Sequence, residues 1–318
     1  MRRWLVTGGV GFIGYHLTHA LLARGDHVTV VDDFSDAPYP TRMKERNAAD
    51  LTRAYPGLSI VRACVTDAAA TRALYQGMDG VIHLAGLAGV RPSFLEPARY
   101  SRVNVEGTAT VLESALAAGI EQVLFASSSS VYGNSTPLPA HEDAPAIVPE
   151  SPYAASKRAA ELVAGAICKR ATTLSCTALR FFTVYGPRQR PEMAITLWTR
   201  ALLAHQPITV FGDGSMRRDF THVDDIVRGV LAATAEKRPG LRAYNLGSGA
   251  PVTLSALLRA LAAAAGVEPV LATAPVPPGD VDATFADIQR ARTALGWSPR
   301  VPLVEGLATV LDWVRNNP

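Results

Sequence analysis

The sequence holds 318 residues, 48% hydrophobic and 19% charged, and its 31 Lys and Arg against 28 Asp and Glu leave a net charge of +3. That excess is too small and too dispersed for a nucleic-acid or membrane-surface protein, while the apolar content allows a large buried core. Three cysteines (Cys64, Cys168 and Cys176) with no C-x-x-C spacing, and seven scattered His, argue against a disulfide framework and against any metal site.

The opening Met-Arg-Arg runs at once into an apolar strand, Trp4-Leu-Val6, and not into a signal peptide. No stretch reaches the roughly 18 apolar residues of a membrane span, so a cytoplasmic protein is expected. The strand feeds Thr7-Gly-Gly-Val-Gly-Phe-Ile-Gly14, and Ile13, Leu17, Ala20 and Leu21 then share one face of a helix. Strand, glycine turn and helix are the context a dinucleotide needs. Gly8 permits a tight turn, Gly11 a close approach to pyrophosphate, and Gly14 close packing of helix on sheet. A second strand, Val28-Thr-Val-Val-Asp32, ends in a carboxylate placed for the adenosine ribose hydroxyls, which favours NAD over NADP, with Asp33 as a second candidate.

Asp36 to Asp50 is polar, contains Pro38 and Pro40, and reads as an exposed loop or a loosely held helix. Strands follow at 58–61, 80–84 and 122–126, with helical stretches at 67–76 and 96–118 between them, which is the alternation of a doubly wound parallel sheet. A helix from Tyr153 to about Arg170 leads to a sixth strand, Ser175–Arg180. Past Phe182 the chain breaks into short, Pro- and Gly-rich pieces, although the Ala-rich run Leu254 to Val267 reads as a packed helix. The expected architecture is an α/β, Rossmann-type dinucleotide domain over 1–182, with a later segment near 219–247 returning to it. Residues 183–318 form a smaller substrate domain over the carboxyl ends of the strands.

Tyr153 and Lys157 stand four apart on one helix face. An ammonium there favours phenolate over phenol, which would lower the Tyr153 pKa from about 10. Tyr153 would then serve as general base and acid, with Lys157 also on the nicotinamide ribose. Ser128, within Ala126-Ser-Ser-Ser-Ser130 directly after the fifth strand, would hydrogen-bond the same substrate oxygen.

These residues resemble the extended short-chain dehydrogenase/reductase family, and within it the nucleotide-sugar epimerases and dehydratases. The likeness runs through the glycine turn, His83-Leu-Ala-Gly86, Asn104-Val-Glu-Gly-Thr108, Ser128, Tyr153 with Lys157, Arg180-Phe-Phe-Thr-Val-Tyr-Gly-Pro187 and Arg218-Asp-Phe-Thr-His-Val-Asp-Asp225. It implies a bound NAD seated by Gly8, Gly11, Phe12, Ile13, Gly14, Asp32, Asp33, Leu84, Ala85, Gly86, Asn104, Tyr153 and Lys157. It also implies an isomerase reaction: transient oxidation of a sugar at C4, turnover of the keto sugar and re-reduction on the other face. Cys64 stands where many relatives carry an Asp toward the adenine amine.

Phe182-Thr-Val-Tyr-Gly-Pro-Arg-Gln-Arg190-Pro-Glu-Met193, Gly89-Val-Arg91 and Pro278-Gly-Asp280 look like the UDP-glucuronate 4-epimerase branch. That likeness implies Thr183, Arg190, Ser129 and Ser130 on the hexuronate carboxylate, a task suited to a planar guanidinium with hydroxyls. Arg218 resembles a pyrophosphate ligand, with Arg217 beside it solvated. Phe211, ending a short apolar run, is read either as a contact for the uracil or as a core aromatic, and Asp280 falls in the late substrate loop. Arg91 reaches either pyrophosphate or carboxylate. A UDP-glucose 4-epimerase is disfavoured by Thr183 and by Pro277-Pro-Gly-Asp280, where those enzymes carry Asn and Arg. A 4,6-dehydratase is disfavoured by Ser129-Ser130, where those enzymes carry an acid pair. A UDP-glucuronate decarboxylase and a non-catalytic NAD-binding protein remain as other readings. A homodimer through the helices near 96–118 and from Tyr153 is expected.

Overall fold

The alternation of apolar runs and amphipathic helices closes into one large sheet in the computed structural model, which describes residues 1–37, 40–146 and 148–317. In chain order the first half is β1 (Arg3–Thr7), α1 (Phe12–Ala23), β2 (His27–Asp32), α2 (Thr41–Ala54), β3 (Ser59–Arg62), α3 (Ala68–Thr71), β4 (Gly80–His83), α4 (Val90–Leu95), α5 (Pro97–Ser101), α6 (Gly107–Ala117), β5 (Gln122–Ser128) and α7 (Pro152–Arg170). The second half is β6 (Ser175–Phe181), β7 (Val184–Tyr185), α8 (Ala194–Leu203), β8 (Ile208–Phe211), β9 (Arg217–Arg218), β10 (Thr221–His222), α9 (Val223–Ala233), β11 (Gly240–Leu246), β12 (Val252–Thr253), α10 (Leu254–Ala265), β13 (Leu271–Ala274), α11 (Gln289–Leu295) and α12 (Leu303–Asn316).

Seven parallel strands run in the order β11-β6-β5-β4-β1-β2-β3. Side chains alternate along each strand, so one face presents Val6, Val30, Ile82, Leu124 and Leu179 to α1 and α9. The other face presents Leu5, Val31, Val81, Val123 and Phe125 to α6 and α7, where Cys168 and Cys176 are packed as free thiols. Both faces are covered, as a parallel sheet requires. The seventh strand, β11, was not anticipated as a strand. Its register pairs Gly240 with Ser175 through Leu246 with Phe181, and it forms one edge of the sheet.

Two expected helices differ in detail. The polar segment after β2 forms α2, a full helix whose Thr41 amide donates to Asp36 Oδ1 at 2.7 Å; Pro38 lies outside the described residues. The helix expected over 96–118 is α5 and α6 joined by a π turn, Arg102–Glu106, which carries Asn104. Such turns mark places where a helix re-aims a side chain.

A second core holds α8, α10 and α12 together around Trp198, Leu257, Leu261, Leu307 and Val310, with β8 against them. The Leu254–Val267 stretch ends as a helix at Gly266, left-handed at φ 69°. No helix among the described residues is long and apolar enough to cross a membrane.

Candidate active site

The glycine turn is shaped by close backbone contacts. Gly8 has φ +71°, and a Cβ there would stand 2.6 Å from the Ala85 amide nitrogen, so β1 and the Leu84-Ala85-Gly86 segment after β4 can abut only through glycine. A Cβ on Gly14 would collide with the Gly8 carbonyl and the Gly9 Cα; its requirement comes from the turn itself and not, as the sequence suggested, from the sheet. The N-terminus of α1 at Gly11 carries no side-chain cap, leaving the amides around Phe12 and Ile13 facing outward as an anion site.

At the end of β2 the buried Asp32 carboxylate accepts from the Phe34 amide at 2.9 Å, and Asp33 accepts from the Ser35 amide at 2.8 Å. Lys44 on α2 is buried beside them, its Nζ 3.3 Å from Asp32 Oδ1 and 3.6 Å from Asp33 Oδ1. Burial raises the Asp32 pKa, and the Lys44 charge is the chief force holding it down. Lys44 escaped the sequence analysis because it sits in a helix that reads as a solvated, charged face. Cys64, half-buried with its Sγ 3.2 Å from Thr66 Oγ1, lines a cavity of about 460 Å³ with Asp33, Ser35, Arg99 and Arg102. The turn, the outward amides and the terminal carboxylate together suit a dinucleotide, as does the open wall at Gly86.

On that wall, a Cβ at Gly86 would lie 3.0 Å from Asn104 Oδ1 and 3.2 Å from Lys157 Nζ. Asn104 is clamped from the π turn: it accepts from the Leu87 amide at 2.8 Å and donates to Leu87 O at 3.0 Å and Ser156 Oγ at 2.9 Å. Lys157 donates to Ala126 O at 3.0 Å. Desolvation pushes its pKa down to about 8, against the pull of Glu161 one turn further along α7. Helix α7 begins at Pro152 with the Ser151 hydroxyl capping the Ala154 amide at 3.1 Å, which places Tyr153 in the first turn.

The Ser128 hydroxyl favours the Tyr153 phenolate, but the phenol pKa is raised and not lowered. Burial dominates, and the groups that oppose it are Ser128 and Arg190. The expected depression by Lys157 therefore does not operate: that ammonium is spent on the Ala126 carbonyl and is itself short of solvation. Ser128 ends β5 and accepts from the Ser130 amide at 3.1 Å, so Ser128, Ser129 and Ser130 fan out at the head of a short 3₁₀ turn, Ser129–Tyr132.

Arg190 comes from the segment between β7 and α8. Its side chain is only 15% exposed, pairs with Glu192 at 2.9 Å and donates to Ala88 O at 3.3 Å, and its charge reaches Tyr153. Thr183 lies half-buried at the start of the same segment, its carbonyl accepting from the Thr221 amide at 3.0 Å. Arg91, left open by the sequence, turns away from this end: its guanidinium lies 4.4 Å over the Phe211 ring and 3.5 Å from Asp280. Arg218 lies on that side too, lowered by burial and drawn up by Asp280 and Asp282. The basic residues thus fall in two groups: Arg190, whose charge acts on the Tyr153 phenol, and Arg91 with Arg218 along the late loop.

Two buried networks were not foreseen. His83 bridges Thr7 Oγ1 at 2.7 Å and Thr108 Oγ1 at 3.2 Å, and burial drives it down to about 3, so it stays neutral. Arg180 forms a bidentate pair with Glu161 at 2.9 and 2.8 Å, and Ser127 donates to the same carboxylate at 2.6 Å. Only the segment containing Arg180 was noticed; Glu161 gave no signal because its partner comes from a strand 19 residues later.

A family model described as "NAD dependent epimerase/dehydratase family" matches residues 4–247. The chain is 35% identical over 320 residues to a UDP-glucuronate 4-epimerase from Thermodesulfobacterium geofontis, covering all of this chain and 97% of that one. It is 34% identical to the UDP-glucuronic acid 4-epimerase from Bacillus cereus, whose crystal structure holds UDP-glucuronic acid and NAD, with a TM-score of 0.92 and 99% of each chain covered. A dTDP-glucose 4,6-dehydratase from Streptomyces venezuelae superposes almost as well, with a TM-score of 0.91 at 33% identity over all but a few residues (99% of this chain, 97% of that one).

Proposed function

Because the chain belongs to the NAD dependent epimerase/dehydratase family, we propose that it interconverts UDP-glucuronate and UDP-galacturonate by NAD-dependent inversion at C4. The observation that carries this reading is Arg190, a nearly buried guanidinium whose charge reaches the Tyr153 phenol. A cation there answers a carboxylate one carbon beyond the sugar ring. The fold alone does not choose between epimerisation and dehydration, since both kinds of enzyme superpose on it. Ser129 and Ser130 stand where a dehydratase needs its own acid and base, and hydroxyls at their pKa supply neither.

Gly8 to Gly14 and Asp32 would hold NAD, which would supply a reversible hydride acceptor for C4. The protein's own residues handle the proton and the geometry. Ser128 orients the C4 hydroxyl, and Tyr153 Oη, in its phenolate form, takes that proton and gives it back to the C4 oxygen once the keto sugar has turned over. Arg190 and Thr183, with Ser129 and Ser130, grip the carboxylate in both orientations of the keto sugar. That grip also guards the keto intermediate, because a C4-oxidised uronate is a β-keto acid. Holding the carboxylate out of line with the carbonyl orbitals keeps the C5–C6 bond intact. Arg218 and Arg91 take the pyrophosphate side, beside Phe211 and Asp280.

Incubation of the purified protein with trace NAD and either UDP-glucuronate or UDP-glucose, followed by chromatography and mass analysis, tests the assignment. Conversion of the uronate without change of mass is expected. Loss of CO₂ would make the protein a decarboxylase, and turnover of UDP-glucose alone would overturn the role given to Arg190.

The Lys44 contact yields a second expectation. Lys44→Met removes the cation that opposes burial at Asp32, so the carboxylate takes up its proton at higher pH than in the unaltered protein. NADH titration by fluorescence is expected to show affinity about tenfold weaker near neutrality, falling further toward acid. A loss of equal size at every pH would contradict this account.

A homodimer in the cytoplasm completes the reading. Leu116 and Leu162 stand 37% and 60% exposed on α6 and α7, apolar side chains that a second copy would cover. The three free thiols suit a reducing compartment. A monomer by light scattering would remove the dimer.

A further inference from the structure

The segment that carries Thr183 and Arg190 is tied to the glycine turn by a route that none of the roles above explains. Between those residues, Arg188 is held at φ +67°, a left-handed backbone conformation uncommon for a residue with a side chain. That conformation turns its side chain away from Arg190 and down onto the dinucleotide module. The Arg188 guanidinium is 11% exposed, donates to Asn47 Oδ1 at 2.5 Å and to Asp50 Oδ2 at 2.6 Å, and lies 3.9 Å over the Tyr15 ring and 4.6 Å over that of Trp313. Next to it, His16 on α1 donates from Nε2 to Pro187 O at 2.9 Å.

Asn47 passes the contact on. It is buried, and with its Oδ1 committed to Arg188 its Nδ2 donates to Val10 O at 2.9 Å. That carbonyl shares a peptide unit with the Gly11 amide, which in turn closes the glycine turn on Gly8 O at 3.1 Å. A continuous run of hydrogen bonds thus joins the glycine turn to a residue two positions before Arg190.

We propose that Arg188 is a positioning residue that braces the glycine turn and the Thr183–Arg190 segment against each other, so that dinucleotide and uronate strengthen one another's binding. The inference rests on the reading of Arg190 and Thr183 as the carboxylate grip. Because coupling of this kind is reciprocal, it can be measured from either ligand. NADH and UDP-glucuronate form a pair that cannot react, since oxidation at C4 requires the oxidised cofactor, so both affinities can be measured at equilibrium.

The experiment is fluorescence titration of NADH in the absence and presence of saturating UDP-glucuronate. In the unaltered protein the nucleotide sugar is expected to tighten NADH by about fivefold or more. Arg188→Met keeps an apolar stem against Tyr15 and Trp313 but lacks the donors; in this variant the tightening should fall below about twofold. Asn47→Ala, which cuts the same route at its other end, should do the same, and the double variant should lose no more coupling than either single one. Arg188→Lys, able to keep one of the two bonds, should recover part of it. A drop in NADH affinity of equal size with and without the sugar, or additive losses in the double variant, would overturn the brace and leave a purely structural role. If the unaltered protein bound UDP-glucose but not the uronate, the uronate reading would fall. The brace would then still be decided, by the same variants titrated with UDP-glucose.

Discussion

Replacing Lys157 by Met is expected to cut turnover roughly a thousandfold and, at neutral pH, to leave a more stable protein. The stability half follows from the buried ammonium, whose pKa falls from 10.5 to about 8 in the folded chain. Below the lower value both folded and unfolded chains hold the proton, and burying the charge is a constant penalty. Between the two values the unfolded chain keeps a proton that the folded chain has released, so stability rises with pH, by about 1.4 kcal/mol per unit. Above the upper value the penalty is gone.

Methionine never carries the penalty, which amounts to about 3 kcal/mol, but it forfeits the bond to Ala126 O, worth about 1. A net gain of about 2 kcal/mol at pH 7 is expected from urea unfolding, shrinking to nothing or reversing by pH 10.5. If the variant were less stable at pH 7, the ammonium would not be paying this desolvation penalty. A stabilised, inactive Lys157→Met would show that the site keeps this charge against the preference of the fold.

The opposite behaviour is expected at Arg180. It is 3% exposed, and its partner Glu161 is 2% exposed, so Arg180→Met leaves a carboxylate buried without its main counter-charge. Such a change costs about 3 to 5 kcal/mol. Arg158 and Ser127 still reach Glu161, which places the expectation near 3. The guanidinium also donates to Tyr132 Oη and to Glu142 O, so the loss extends into the segment after β5. Adding Glu161→Leu to Arg180→Met should restore much of the stability, since two apolar groups need no partner. A single variant within about 1 kcal/mol of the original, measured by the same urea titration, would mean that the pair contributes little.

Six of the seven sheet strands were readable in the chain because each is a short apolar run next to a turn. The glycine turn, Asp32, Tyr153 and Lys157 were readable because their spacing is local. The strand β11 was missed for a physical reason. Its last residue but one is Asn245, which is wholly buried yet polar, bonded to Tyr132, Glu142, Ala140 and Asp287 from distant segments. A buried polar residue satisfied by remote partners looks like a loop residue in sequence. Lys44, Glu161 and Arg188 escaped for the same reason. Each reads as a solvated charge until the fold brings its partner to it. The direction of the Tyr153 pKa was misjudged because helix spacing reports which residues are neighbours, while desolvation, which decides here, depends on everything packed around the ring.

The π turn at Arg102–Glu106 sets a rule for insertions and deletions. One extra residue in a helical turn rotates everything beyond it by about 100°. Removing Arg102 or Val103 would therefore favour an unbroken α-helix and yet swing Asn104 away from Leu87 and Ser156. Val111, Leu112 and Ala115 would leave their packed face at the same time. Elsewhere in a helix, a deletion breaks a pattern that was regular. Here it would restore regularity and lose the register, so chain length through this stretch is fixed by the direction of one amide side chain.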